Sequence, residues 1–105
     1  MKYRYEVTAD AQCDLVEIEA YVGSYADNDT VDAVSDAFES AFERLCENPF
    51  LHAIYQFPDG YAPMRTYRSV NVYNYKVFYR VDEARGVILI YRICHLASDF
   101  TRTGM

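Results

Sequence analysis

The stretch Arg65–Asp99, RTYRSVNVYNYKVFYRVDEARGVILIYRICHLASD, decides how the chain folds, because it holds three strand-like runs and seven of the ten Lys and Arg side chains lie beyond position 64. Tyr75, Val77, Tyr79 and Val81 alternate with Lys76, Phe78, Arg80 and Asp82, the period-two pattern of a strand with two unlike faces. Asp82-Glu83-Ala84-Arg85-Gly86 supplies turn chemistry ending in glycine. Val87 to Cys94 then resumes as a nearly continuous apolar run. This is a hairpin whose second arm needs cover on both faces, by helices on one side and aromatic neighbours on the other. His95 is expected just past that arm.

The covering helices come from upstream. Lys2 to Val7 alternates as a first strand with Tyr3, Tyr5 and Val7 inward, and Thr8 is placed to cap a helix with Asp10 in its first turn. Ala11, Leu15, Ile18, Val22 and Tyr25 form one stripe at helical spacing, while Asp14, Glu17 and Glu19 are expected outside it. Ala26-Asp27-Asn28-Asp29-Thr30 breaks this helix. Val31, Val34, Phe38, Ala41, Phe42 and Leu45 stripe a second helix, which ends near Cys46-Glu47-Asn48 before Pro49. Residues 50–64, with Pro58, Asp59-Gly60 and Pro63, read as an aromatic-pinned loop. Residues 100–105 read as a frayed end. The expected fold is α+β in the order β-α-α-β-β-β, a helical hairpin on one face of a small, mainly antiparallel twisted sheet, in a single domain spanning 1–105.

Composition narrows the function. Eleven tyrosines and no tryptophan suit interfaces that want apolar area and a hydroxyl together. A net charge of −6 lacks the basic excess of a free-standing nucleic-acid binder. The charge is divided instead, with acidic helices against a mildly basic sheet. Cys13, Cys46 and Cys94 have no metal-ligand spacing and read as reduced thiols. No run is long enough to span a membrane, and MKYRYEV is too polar for a signal peptide, so a cytoplasmic protein without metal or cofactor is expected.

The element order, with Asp14-Leu15-Val16-Glu17-Ile18, Asn48-Pro49, Arg68, Val72, Asn74-Tyr75, Val77-Phe78-Tyr79-Arg80-Val81-Asp82-Glu83, Ile93-Cys94-His95 and Asp99, resembles the RelE/ParE toxin superfamily over essentially the whole chain. The resemblance implies the toxin of a type II toxin–antitoxin pair, neutralised by a cognate antitoxin. RelE-like members cut mRNA on the ribosome and ParE-like members poison DNA gyrase, so the target is mRNA with the ribosome, or gyrase; a module that only binds its antitoxin is a third reading.

As a metal-independent endoribonuclease the chain would use His95 as acid or base with Arg92 as the catalytic cation. Arg65, Arg68 and Lys76 would hold phosphate, and Tyr73, Tyr67 or Tyr91 would stack on a base. The plainer roles are a His95 hydrogen-bonded to Asp99 or a backbone carbonyl, and Arg68 and Arg80 paired with helix carboxylates. Where RelE-like nucleases carry a cation before the tyrosine-led strand, this chain has Asn71-Val72-Tyr73-Asn74, which with the acidic helices motivates the gyrase reading; His95, placed where a reactive side chain would be wanted, tips the expectation toward ribosome-dependent mRNA cleavage, with gyrase inhibition as the alternative.

Overall fold

A computed structural model describes residues 2–57 and 65–97. Six elements follow in the expected order: β1 (Arg4–Val7), α1 (Ala9–Gly23), α2 (Asn28–Glu47), β2 (Arg68–Val72), β3 (Tyr75–Asp82) and β4 (Val87–His95). They build a four-stranded sheet ordered β1-β4-β3-β2, with β1 parallel to β4 and the other neighbours antiparallel. β4 is therefore an inner strand, which is why it reads as an apolar run.

The caps stop and start the helices where the sequence places them. Thr8 Oγ1 accepts from the Ala11 N–H at 3.2 Å, and Asp27 Oδ1 accepts from the Thr30 N–H at 2.9 Å. On β4's flank the chain turns at Gly86, whose φ of 66° is a left-handed conformation natural to glycine. Both helices lie on one face of the sheet. Ala11, Ile18 and Val22 of α1 and Phe38, Ala41, Phe42 and Leu45 of α2 pack onto Val72, Val77, Tyr79, Ile88, Ile90 and Ile93, with Tyr3, Tyr5 and Val7 at the margin. Burying a large apolar side chain here contributes roughly 1.5–3 kcal/mol, so this seam fixes how the hairpin sits.

The second face is not bare. Phe78 is fully buried under a smaller cluster with Tyr67 and Cys94, joined by Tyr55, Phe57 and Tyr91. Phe57 stacks on Phe78 with ring centroids 5.8 Å apart and Tyr55 meets it edge-on at 5.0 Å. The loop after α2 is thus pinned by aromatics, as expected, for the part of it described. Its Pro58, Asp59-Gly60 and Pro63, and the chain end with Asp99, lie outside the described residues.

Three local expectations are corrected. Asp14 is buried on the α1 stripe, whereas Tyr25, expected on that stripe, is 68% exposed. His95 is the last residue of β4 and pairs with Tyr75, because the β2–β3 turn extends far enough to carry the ladder to it. Arg68 meets no carboxylate among the described residues; its Nη1 donates to the His52 carbonyl at 2.6 Å, since the loop after α2 crosses the start of β2 there. Arg80 likewise has no carboxylate partner among the described residues, and its Nε is buried without an acceptor.

Candidate functional site

The face away from the helices carries most of the cations the sequence singles out, and a β-bulge arranges them. Phe78 pairs with Arg92 but Tyr79 pairs with Ile90, so Tyr91 is an extra residue in β4. The extra residue puts Tyr91 in the Phe78 cluster and Arg92 opposite Phe78 in the ladder, its guanidinium reaching the α1 carboxylate of Asp14, while Ile90 and Ile93 both remain in the helix-side core.

A bulge leaves backbone groups without a ladder partner, and β1 ends alongside Ile90, so β4 needs other partners beyond it. α1 provides them. Thr8 Oγ1 donates to the Tyr91 carbonyl at 3.0 Å, and Asp14 Oδ2 accepts from the Ile93 N–H at 2.8 Å. The same carboxylate takes the Arg92 fork, Nε to Oδ2 at 2.9 Å and Nη2 to Oδ1 at 3.1 Å. This charge-assisted bidentate pair pushes the Arg92 guanidinium further up from its ordinary value and fixes it at the strand edge. The helical period itself marks Asp14: at 11, 14, 15, 18 it falls on the buried stripe, where a carboxylate needs a cation from the sheet.

Around this bulge the open face is aromatic and cationic. Arg65 Nη1 donates to the Tyr91 hydroxyl at 3.2 Å, and Tyr67 meets the Tyr91 ring edge-on at 5.3 Å. Lys76 Nζ donates to Asn71 Oδ1 at 2.9 Å and sits 5.3 Å from the Tyr55 ring centroid. Partial burial pushes the Lys76 ammonium down and the Tyr55 phenol up. Burial also raises the Cys94 thiol, which keeps it protonated and unreactive.

The structure therefore gathers Arg65, Lys76 and Arg92 with Tyr67 and Tyr91 on one face. Arg68 is apart from them: it pairs across the strands with Tyr79, on the helix side, and stands 5.2 Å from the Phe50 ring centroid. Tyr73 is 63% exposed at the β2–β3 turn. His95 shares its face with Tyr75 and Ile93, opposite that of Arg92 and Phe78. Its ring lies edge-on to Tyr75 at 5.5 Å, and its Nδ1 accepts from the Ala97 N–H at 3.1 Å. A neutral His95 thus carries its proton on Nε2. No carboxylate, thiol or imidazole cluster able to hold a metal ion occurs among the described residues. Tyr55 and Phe57 take part in this face without having been singled out from the sequence, and Thr8 and Asp14, read there as a helix cap and a carboxylate outside the buried stripe, hold β4 from α1.

A two-helix cover on a four-stranded sheet in the order β-α-α-β-β-β is the architecture of the RelE/ParE toxins. Residues 5–100 match the family model described as ParE toxin of type II toxin-antitoxin system, parDE, and the chain belongs to that family of toxins. Among solved structures, the chain resembles the chromosomal ParDE system from P. aeruginosa with a TM-score of 0.68 at 18% identity, covering 90% of this chain and 96% of the other. It resembles the archaeal RelE-RelB complex from Pyrococcus horikoshii with a TM-score of 0.61 at 16% identity, over 92% and 98% of the chains. The toxin-antitoxin complex RelBE2 from Mycobacterium tuberculosis gives 0.58 at 22% identity, over 90% and 99%. None of the curated proteins compared with the chain matches it.

Proposed function

We propose that this toxin arrests growth by binding a protein, DNA gyrase being the target its ParE likeness implies, and that it does not cut mRNA. One observation carries the reading: His95 and Arg92, the pair a nuclease would need together, project from opposite faces, and Arg92 is already spanned by Asp14. Metal-free RNA cleavage needs an acid or base and a cation converging on one phosphate, within hydrogen-bond reach of the reacting atoms. The net charge of −6 points the same way, since binding an RNA would set the acidic helices against phosphate. Neutralisation is by a cognate antitoxin, as the toxin-antitoxin complexes formed by similar toxins suggest, and we assign the tyrosine-rich sheet face to it; the cytoplasm is the compartment where both partners meet. No described helix is long and apolar enough to cross a membrane.

The second reading, ribosome-dependent mRNA cleavage, is favoured by the exposed position of His95 at the end of β4. Induced expression of the chain alone, followed by primer extension on abundant transcripts, separates the two. The expected outcome is arrest with intact transcripts and unchanged toxicity in His95→Ala. Cleaved transcripts that become intact in His95→Ala would overturn the proposal, and harmless expression of the folded chain would reduce it to an antitoxin-binding module.

A further inference from the structure

Tyr21, Tyr25 and Tyr73 are exposed aromatic side chains outside the buried core and the Phe78 cluster. Tyr21, in the last turn of α1, and Tyr25, just past its C-cap, are 65% and 68% exposed, with ring centroids 5.3 Å apart edge to face. Tyr73, in the turn between β2 and β3, is held at φ 52°. That left-handed conformation is unfavourable for a side chain with a Cβ, and the residue is 63% exposed. Tyr75 follows, meeting Phe38 at 5.9 Å and His95 at 5.5 Å, both edge-on. Burial raises the Tyr75 phenol, and the phenols of Tyr25 and Tyr21 raise it further. Leu96, 42% exposed, is drawn to the same turn by its N–H to the Asn74 carbonyl at 2.8 Å.

The exposed ionisable side chains next to Tyr21 and Tyr25 along the chain are carboxylates. Glu17 precedes Tyr21 by one helical turn on the exposed side of α1, and Asp27 and Asp29, both exposed, open α2 just after Tyr25. The one cation adjacent in sequence, Lys76, is committed to Asn71 and the Tyr55 ring. π-Faces and carboxylates together attract a guanidinium or ammonium group and repel phosphate, and tyrosines offer large contact area with little rotamer entropy to lose.

We propose that this tyrosine-lined end is the surface that engages the protein target, through a segment of that target carrying arginine or lysine between apolar residues. The surface is distinct from the open sheet face, so target contact and antitoxin cover are separable. The inference rests on the proposal that the target is a protein, gyrase.

The test is the affinity of the purified chain for purified gyrase, compared between wild type, Tyr21→Ser/Tyr25→Ser, Tyr21→Phe/Tyr25→Phe and Glu17→Lys/Asp29→Lys. These side chains are exposed, and circular dichroism checks that each variant folds. The serine and lysine pairs are expected to weaken binding tenfold or more, and the phenylalanine pair, which keeps the rings, by less than threefold. Serine and lysine variants that bind within twofold of wild type would overturn the surface while leaving the gyrase reading standing. A wild-type chain that does not bind gyrase would overturn that reading, and the surface with it.

Discussion

Asp14 joins three parts of the molecule through one carboxylate: α1, the β4 backbone at Ile93, and the Arg92 guanidinium. Its side chain is 10% exposed and that of Arg92 25%, so the pair is shielded enough for its loss to matter. Removing one partner of a shielded pair leaves the other charge uncompensated. Asp14→Asn is expected to lower stability by about 2–3 kcal/mol in urea denaturation, and Arg92→Met in the same background to recover part of it. Tyr79 is the opposite case: fully buried, with a hydroxyl that has no partner among the described residues, and burial pushes its phenol up to about 12 from an ordinary value of 10.0. A raised folded value means that stability is undiminished below pH 10, where both states are protonated. It is lost between pH 10 and 12, as the unfolded chain ionises while the folded one holds its proton. At 1.36 kcal/mol per pH unit this alkaline limb amounts to about 2–3 kcal/mol, and it is expected to be shallower in Tyr79→Phe by that amount when unfolding is followed from pH 9 to 12. Residue roles were the least legible in the sequence: Asp14 reads as solvated when acidic side chains are assumed to point outward, and Arg68 as an ion-pair partner when the loop crossing β2 is not foreseen.

At the scale of elements, the sequence carries nearly everything. Thr8 caps α1 as expected, Asp27 caps α2 from within the expected break, the α2 stripe is the α2 core, and the β3 alternation splits between the two faces as its period requires. What it does not carry is the bulge at Tyr91, since one extra residue in a run of Val, Ile, Leu and Tyr leaves no local mark; only pairing with β3 reveals it. Thr8 serves both features at once, capping α1 and donating to the Tyr91 carbonyl. Thr8→Val keeps the shape and removes both bonds. It is expected to cost about 2 kcal/mol, more than the roughly 1 kcal/mol of an ordinary cap, and to speed amide exchange at Ala11 before that of the β3 core.

For the whole molecule, the decisive fact is which face each group occupies. The basic residues after position 64 were legible as a group, but a strand's two faces separate them: Arg65, Lys76 and Arg92 on one, Arg68 and His95 on the other. Linear proximity of Arg92 and His95 suggested a catalytic pair; the register of β4 divides them. What is left is an acidic toxin of the ParE family with an aromatic sheet face, a tyrosine-lined end and no converging acid–base pair among the described residues. Supercoiling of relaxed plasmid by purified gyrase, with the purified chain added in excess, measures its consequence most directly. Supercoiling is expected to stop, with His95→Ala as potent as wild type; undisturbed supercoiling beside ribosome-dependent cleavage of mRNA by the same preparation would contradict it.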